Sequence, residues 1–140
     1  MKVERFKIHH LADMKEAVPA FTVTDEDVSA LLDRGMAFTG FVDGKAVAIA
    51  GIYRLHGKVG QAWALFAPEA LKHPIALTRA VASGLLWITA ELGRDRVQLT
   101  VQDGHLAGHR FAKFLGFEVE GYLKRYGLNG EDHWMYARVT

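Results

Sequence analysis

Residues 2–8 alternate Val3, Arg5 and Lys7 with Glu4, Phe6 and Ile8, which fits a short edge strand better than a helix. The period then changes. Leu11, Met14, Ala17 and Val18 fall at helical spacing and Pro19 closes the segment, so the pattern predicts a helix from Leu11 to Ala20. Thr24 and Asp27 have the spacing of a capping box ahead of Val28, Leu31 and Leu32, with Gly35 as the stop, which predicts a second short helix. A strand signal follows over Phe38 to Val42 and again over Ala46 to Leu55. Asp43-Gly44 between them supplies the positive φ values of a tight hairpin. A second turn at His56 to Gly60 leads into a third strand, Gln61 to Phe66.

The longest helical signal runs from Pro74 to Leu92. Leu77, Val81, Leu85, Ile88 and Leu92 form one stripe, Pro74 stands at the first helical position, and Gly93 ends the run. Arg96 to Val101 then predicts a strand, His105 to Leu115 a helix stopped by Gly116, and Phe117 to Lys124 another strand. Asn129-Gly130 predicts a hairpin into a last strand, His133 to Val139. The order is strand, two helices, three strands, helix, strand, helix, two strands, a mixed α/β (α+β) pattern with an antiparallel meander near its front. Within it, the strand at Arg96 should lie parallel to the one ending at Phe66, with the Pro74 helix crossing between them.

Composition narrows the picture only where it excludes something. Half of the 140 residues are apolar, enough for one domain over 1–140 with a core of its own. No cysteine is present, which removes disulfides, thiolate nucleophiles and Cys-based zinc sites. Seventeen basic against sixteen acidic residues give a formal net charge of +1, so charge points to no nucleic-acid partner. No apolar run approaches the ~20 residues of a membrane span, and a cytoplasmic protein is the expectation.

Three further patterns are weaker. His105 and His109 lie four apart on one predicted helix, a spacing two metal ligands can share, but without a neighbouring Glu or third ligand a solvated face is the better reading. Ser29 and Ser83 sit in helical patterns rather than in a nucleophile elbow. Trp63, Trp87 and Trp134 occupy apolar positions and read as packing aromatics.

Three stretches in sequence carry a family resemblance: Phe66-Ala67-Pro68-Glu69, Trp87 to Gly93 with Arg96 to Val101, and Arg110 to Tyr122 with its Leu115-Gly116-Phe117 core. In this order they resemble the GNAT superfamily of N-acetyltransferases over roughly the last two thirds of the chain. The resemblance implies a central mixed, mostly antiparallel sheet with helices on both faces. It also implies acetyl-CoA as co-substrate, a primary amine of unknown identity as acceptor, and no metal. No membrane partner follows from it, and a homodimer is compatible with it. In the family, the pantetheine arm pairs with a strand edge where two strands splay apart, which nominates Leu65, Phe66 and Ala67. The pyrophosphate sits on the N-terminus of the long helix, an anion site on general grounds because its N–H groups lack partners.

The chain departs from the family at its glycine-rich phosphate loop, since Lys72 and Pro74 stand where glycines are expected and Ala76 alone matches. Two readings stay open. Lys72, His73 and Arg79, with the amides of Ile75, Ala76 and Leu77, hold phosphate by charge in place of the loop, or Pro74 simply begins an ordinary helix. The family's catalytic tyrosine is matched by Ala112 and its usual asparagine by His105. Tyr122 and Tyr126 are the substitute acids, and Glu69 and His73 the candidate bases. A catalytically silent GNAT-like domain is the alternative. The pair His73-Pro74 at the head of the long helix also resembles small GNAT-like proteins of tailed bacteriophages, some carried in the virion.

Overall fold

The structure, a computed structural model, describes residues 1–23 and 28–140. Its elements are β1 (Lys2–Arg5), a 3-10 helix (Ile8–Asp13), β2 (Val18–Phe21), α1 (Val28–Leu32), β3 (Gly35–Val42), β4 (Lys45–His56) and β5 (Val59–Phe66). A second 3-10 turn (Pro68–Lys72), α2 (Pro74–Leu92), β6 (Arg96–Gln102), α3 (Leu106–Phe114), β7 (Glu118–Leu123) and β8 (His133–Val139) complete it.

The strands form one sheet in the order β1-β3-β4-β5-β6-β8-β7, with β2 paired to β5 outside that path. All neighbours are antiparallel except β5 and β6, which run parallel over Val59↔Arg96, Gly60↔Val97 and Gln61↔Gln98. The meander, the parallel pair and the α2 crossover match the pattern read from the chain. Asp43 and Gly44 have φ of 51° and 78°, the left-handed values that a two-residue hairpin requires. Gly93 closes α2 with φ 61°, and its N–H bonds to the carbonyl of Ala90 at 3.2 Å.

Both sheet faces are covered. Phe38 meets Trp87 of α2 with ring centroids 5.5 Å apart, while the next residue, Thr39, meets His10 of the first 3-10 helix at 2.7 Å from hydroxyl to Nδ1. Adjacent strand residues point to opposite faces, so the two helices lie on opposite sides. On the α2 side Leu77, Val81, Leu85 and Ile88 are buried, the stripe the sequence marks. At 19 residues α2 does have the length and mean hydropathy of a membrane span, contrary to the expectation above, yet this stripe is packed on the sheet. Opposite it, Phe6 packs edge-on against Trp63 at 6.5 Å, and Leu31 of α1 is buried.

The N-terminal quarter differs from its pattern. Instead of one helix over Leu11 to Ala20, the chain makes a 3-10 helix at Ile8–Asp13 and then β2. Pro19, expected to end a helix, lies inside a strand on which one neighbour is paired, a place where its missing N–H is tolerated. The helical spacing is real but belongs to two elements: Met14 is buried at the end of one, while Val18 starts the other. The first strand is shorter than residues 2–8, because Phe6 turns into the core and Ile8 begins the 3-10 helix. The capping box at Thr24 and Asp27 lies outside the described residues. The last hairpin pairs β7 with β8 as expected, but from Leu123↔His133 and through a longer connection, with Asn129-Gly130 inside it.

α3 approaches the sheet closely at Gly108. A Cβ placed there would stand 2.7 Å from the Ala20 carbonyl of β2 and 2.9 Å from Val101 Cγ1 of β6. Gly108→Ala therefore forces backbone apart and should destabilise by about 1–3 kcal/mol. Gly121→Ala, with nothing near its added methyl, should stay within about 0.5 kcal/mol. Urea unfolding of the two variants checks this. A second expectation concerns pH. His10 is buried, its Nδ1 accepts the Lys7 N–H at 3.1 Å, and burial first, then His9, hold its pKa below 6.5. The unfolded chain thus binds a proton the native state refuses once pH drops below that value, so stability falls with acidification through this window. Urea midpoints at pH 7 and 5.5 should differ less in His10→Gln than in the parent.

Candidate functional site

β5 and β6 are neighbours for three residue pairs and then separate. Beyond Gln61, the edge of β5 that faced β6 is taken by β2, through Val18↔Phe66, Pro19↔Leu65 and Phe21↔Ala64. At the far side of the fork the Thr22 N–H donates to the Thr100 carbonyl of β6 at 2.7 Å. β2 is therefore wedged between the two strands.

Over this wedge lies an apolar cleft of about 170 Å³, between the start of α2 and the first turns of α3. Val18 and Ala20 of β2, Phe66 of β5, Leu77 of α2 and Phe111 of α3 line it, with His105 at one end. Phe111 packs on Phe21 at 5.8 Å and on Phe66 at 5.6 Å, tying α3 to β2 and to β5. Leu71, Ile75 and Leu106, each at least 63% exposed, stand beside these lining residues. The cleft itself is shorter of room than the ~300–1,000 Å³ of ordinary small-molecule sites.

The start of α2 has no side-chain cap. Pro74 has no N–H, and the Leu77 N–H bonds to the His73 carbonyl at 2.9 Å, so helix geometry leaves the amides of Ile75 and Ala76 for an anion. Leu77, one of the three amides expected there, is thus engaged inside the helix. Lys72 Nζ donates to Glu69 Oε1 at 3.2 Å on the exposed face of the preceding turn.

Of the residues nominated from sequence, Phe66, Leu77 and His105 come together on the cleft. Leu65 faces Pro19 across the ladder, and Ala67 donates its N–H to the Val47 carbonyl at 2.8 Å. Glu69 and Ala67 border a hollow with Asp13, Lys15 and Lys45, while His73 and Ala76 border another beside Met1 and Glu4. Arg79 lines a groove with Val3 and Trp87. Val18, Ala20, Gly108 and Phe111 are cleft residues that sequence reasoning missed. Glycine within the α3 pattern was the available signal, because an interior helical glycine marks a close approach.

His105 caps α3 by accepting the Gly108 N–H at Nδ1, 2.9 Å away, which leaves Nε2 as its free nitrogen. His109 Nε2 meets the Gln102 carbonyl at 3.1 Å and its Nδ1 meets Tyr136 Oη at 2.8 Å, so both of its nitrogens are engaged. Among the described residues no group of three His, Asp or Glu side chains converges as a metal site.

The two candidate tyrosines are on the β7–β8 side. Tyr122 Oη donates to Asp132 Oδ2 at 2.6 Å, and this bond above all pushes its pKa up to about 12. The same bond, helped by the Arg125 N–H at 2.8 Å, holds Asp132 below the usual carboxylate range. Tyr126 lies against His133 at 5.6 Å, and burial raises its pKa. Two buried groups at the fork, Gln61 Nε2 and Thr100 Oγ1, have no hydrogen-bond partner among the described residues.

No family model and no curated protein matches the chain. Solved structures do. An acetyltransferase from Bacillus subtilis in complex with CoA is 12% identical, with 99% of this chain and 98% of that one covered and a TM-score of 0.75. A GNAT-family acetyltransferase from Streptococcus pneumoniae gives 16%, 99% and 98%, and 0.72. A ribosomal-protein-alanine N-acetyltransferase from Brucella melitensis gives 14%, full coverage of both chains, and 0.73. The chain has the GNAT fold.

The Tyr122–Asp132 bond yields a direct test. Tyr122→Phe removes the main cause of the low Asp132 pKa, so a carboxyl-detected NMR titration should place that pKa higher than in the parent. The stability this pair contributes is present above the unfolded Asp value and lost as pH falls through the folded one.

Proposed function

We propose that the chain is an acetyl-CoA-dependent N-acetyltransferase acting on a primary amine. The observation that carries this reading is the fork between β5 and β6, with an apolar cleft between α2 and α3 above it. In the reaction the amine nitrogen forms a bond to the thioester carbonyl carbon, the carbon–sulfur bond breaks, a base takes the amine proton and an acid returns one to the thiolate. The edge of β5 at Ala64–Phe66, paired to β2 in this structure, is the strand edge for the pantetheine amides, and the Ile75 and Ala76 amides face the pyrophosphate. Lys72 adds charge there, with Arg79 more remote. His105 lines the cleft and offers Nε2 as a donor near the thiolate. Glu69, His73, Tyr122 and Tyr126 remain the proposed acid and base set, and none of them borders this cleft.

A second reading, a catalytically silent GNAT-fold binding domain such as the virion-associated proteins that the His73-Pro74 resemblance suggests, is favoured by one observation. Ala112 is fully buried, so no hydroxyl takes the place of the family's tyrosine on that helix.

Isothermal titration with acetyl-CoA, joined to an assay of thiol release with a panel of primary amines, separates the two. The enzyme reading expects binding and amine-dependent thiol release. Binding without release favours the silent domain, and no binding at millimolar acetyl-CoA rejects the enzyme. Ala107→Trp, on an exposed cleft position, should weaken binding at least tenfold, about 1.4 kcal/mol, while leaving the melting temperature in place. Lys72→Ala should weaken it more than Arg79→Ala, and the Lys72 effect should shrink with salt.

A further inference from the structure

We propose that β2 is an autoinhibitory strand: residues Val18–Phe21 occupy the part of the fork that an acyl-CoA arm needs, and they must leave it before the thioester can be held. This inference rests on the reading of the fork as an acetyl-CoA site.

The first argument is exclusion. One edge of β5 is divided between two partners, β6 at Val59–Gln61 and β2 at Ala64–Phe66. A backbone edge offers a single row of N–H and C=O groups. While β2 is paired there, the amides of a pantetheine arm have no edge to join. The cleft above the wedge is correspondingly small, and Val18 and Ala20 of β2 are part of its wall.

The second argument is that the strand is unevenly held. At its C-terminal end Phe21 is fully buried against Phe111, the Thr22 N–H bonds to Thr100, and the Thr22 hydroxyl meets His133 Nε2 at 2.9 Å. At its N-terminal end Val18 is 55% exposed, Pro19 is exposed and lacks an N–H, and the register shifts between Pro19 and Phe21. From Lys15 to Pro19 no residue is buried. The strand can thus peel from Val18 while Thr22 serves as its anchor.

The chain has no cysteine, so Pro19→Cys with Leu65→Cys, a cross-strand pair, introduces one disulfide that locks β2 in place. The oxidised form should bind acetyl-CoA at least tenfold more weakly than its reduced form by isothermal titration. Thr22→Val, which breaks the anchor to His133, should bind at least tenfold more tightly than the parent. Hydrogen exchange gives a readout without either variant: saturating acetyl-CoA should speed exchange of the Phe21 amide in the parent protein, while the anchored Thr22 amide keeps its protection. Equal affinity of oxidised and reduced forms, or unchanged protection of the Phe21 amide at saturation, overturns the autoinhibitory strand and leaves the acetyl-CoA reading standing. Failure of the reduced form and of Thr22→Val to bind millimolar acetyl-CoA overturns both.

Discussion

The fork between β5 and β6 follows from how firmly each of its strands is held on its other side. β5 is paired to β4 from His56↔Val59 to Ala48↔Phe66, and β6 is paired to β8 over its full length, Arg96↔Val139 to Gln102↔His133. Each half of the sheet is therefore a continuous ladder, and only three parallel pairs join them. Strands twist relative to their neighbours, so two stiff half-sheets joined at one end diverge toward the other. The divergence exposes backbone on β5 that something must satisfy, because buried N–H and C=O groups left unpaired are costly. α2 does not close the gap; it crosses from one half to the other and covers the α2-side face.

The second half-sheet is braced by its own contacts. Arg96 reaches across β8 to Glu120 of β7 with two bonds, at 3.0 and 2.6 Å, and this pairing lowers the Glu120 pKa. Arg138 of β8 lies over the Phe117 ring at 4.7 Å and donates to the Leu115 carbonyl at 3.2 Å, joining the end of α3 to the sheet. α3 is thus fixed at its C-terminal end by Arg138 and at its N-terminal end by the His105 cap. Phe111 between these points packs on both Phe21 and Phe66, so the helix covers the fork.

The parts legible in the chain were those whose signals are local. Asp43-Gly44 fixed one hairpin through its own backbone angles, Pro74 and Gly93 bracketed α2, and the apolar stripe of α2 named the residues that are buried. β2 was hidden because Leu11, Met14, Ala17 and Val18 obey a helical period across an element boundary. Its strand character comes from an edge on β5 more than forty residues away in sequence, a long-range effect that local periodicity does not encode. The candidate site divides in the same way. Phe66 and His105 were nominated through the family resemblance and Leu77 for an amide that the helix itself engages, whereas Val18 and Ala20 enter the cleft only because β2 does. Lys72 and Glu69 sit three apart on one turn, and that spacing lets them pair with each other.

Two departures from the family pattern acquire a common meaning at the fork. In the acetyltransferases whose sequence pattern this chain resembles, a glycine-rich loop lets backbone wrap a pyrophosphate and a tyrosine on the second long helix serves a departing thiolate, and both are tied to a bound CoA arm. Here the loop is replaced by a turn in which Lys72 is paired with Glu69, and Ala112 is packed with no exposed surface. Gly108, by contrast, has no side chain, and the Ala20 carbonyl of β2 comes so near α3 that a Cβ there would stand 2.7 Å from it. The helix is thus shaped to the strand beneath it. Whatever enters the fork must compete with an intramolecular partner already at high effective concentration, and the partly exposed Val18-Pro19 end is the place where that competition can begin.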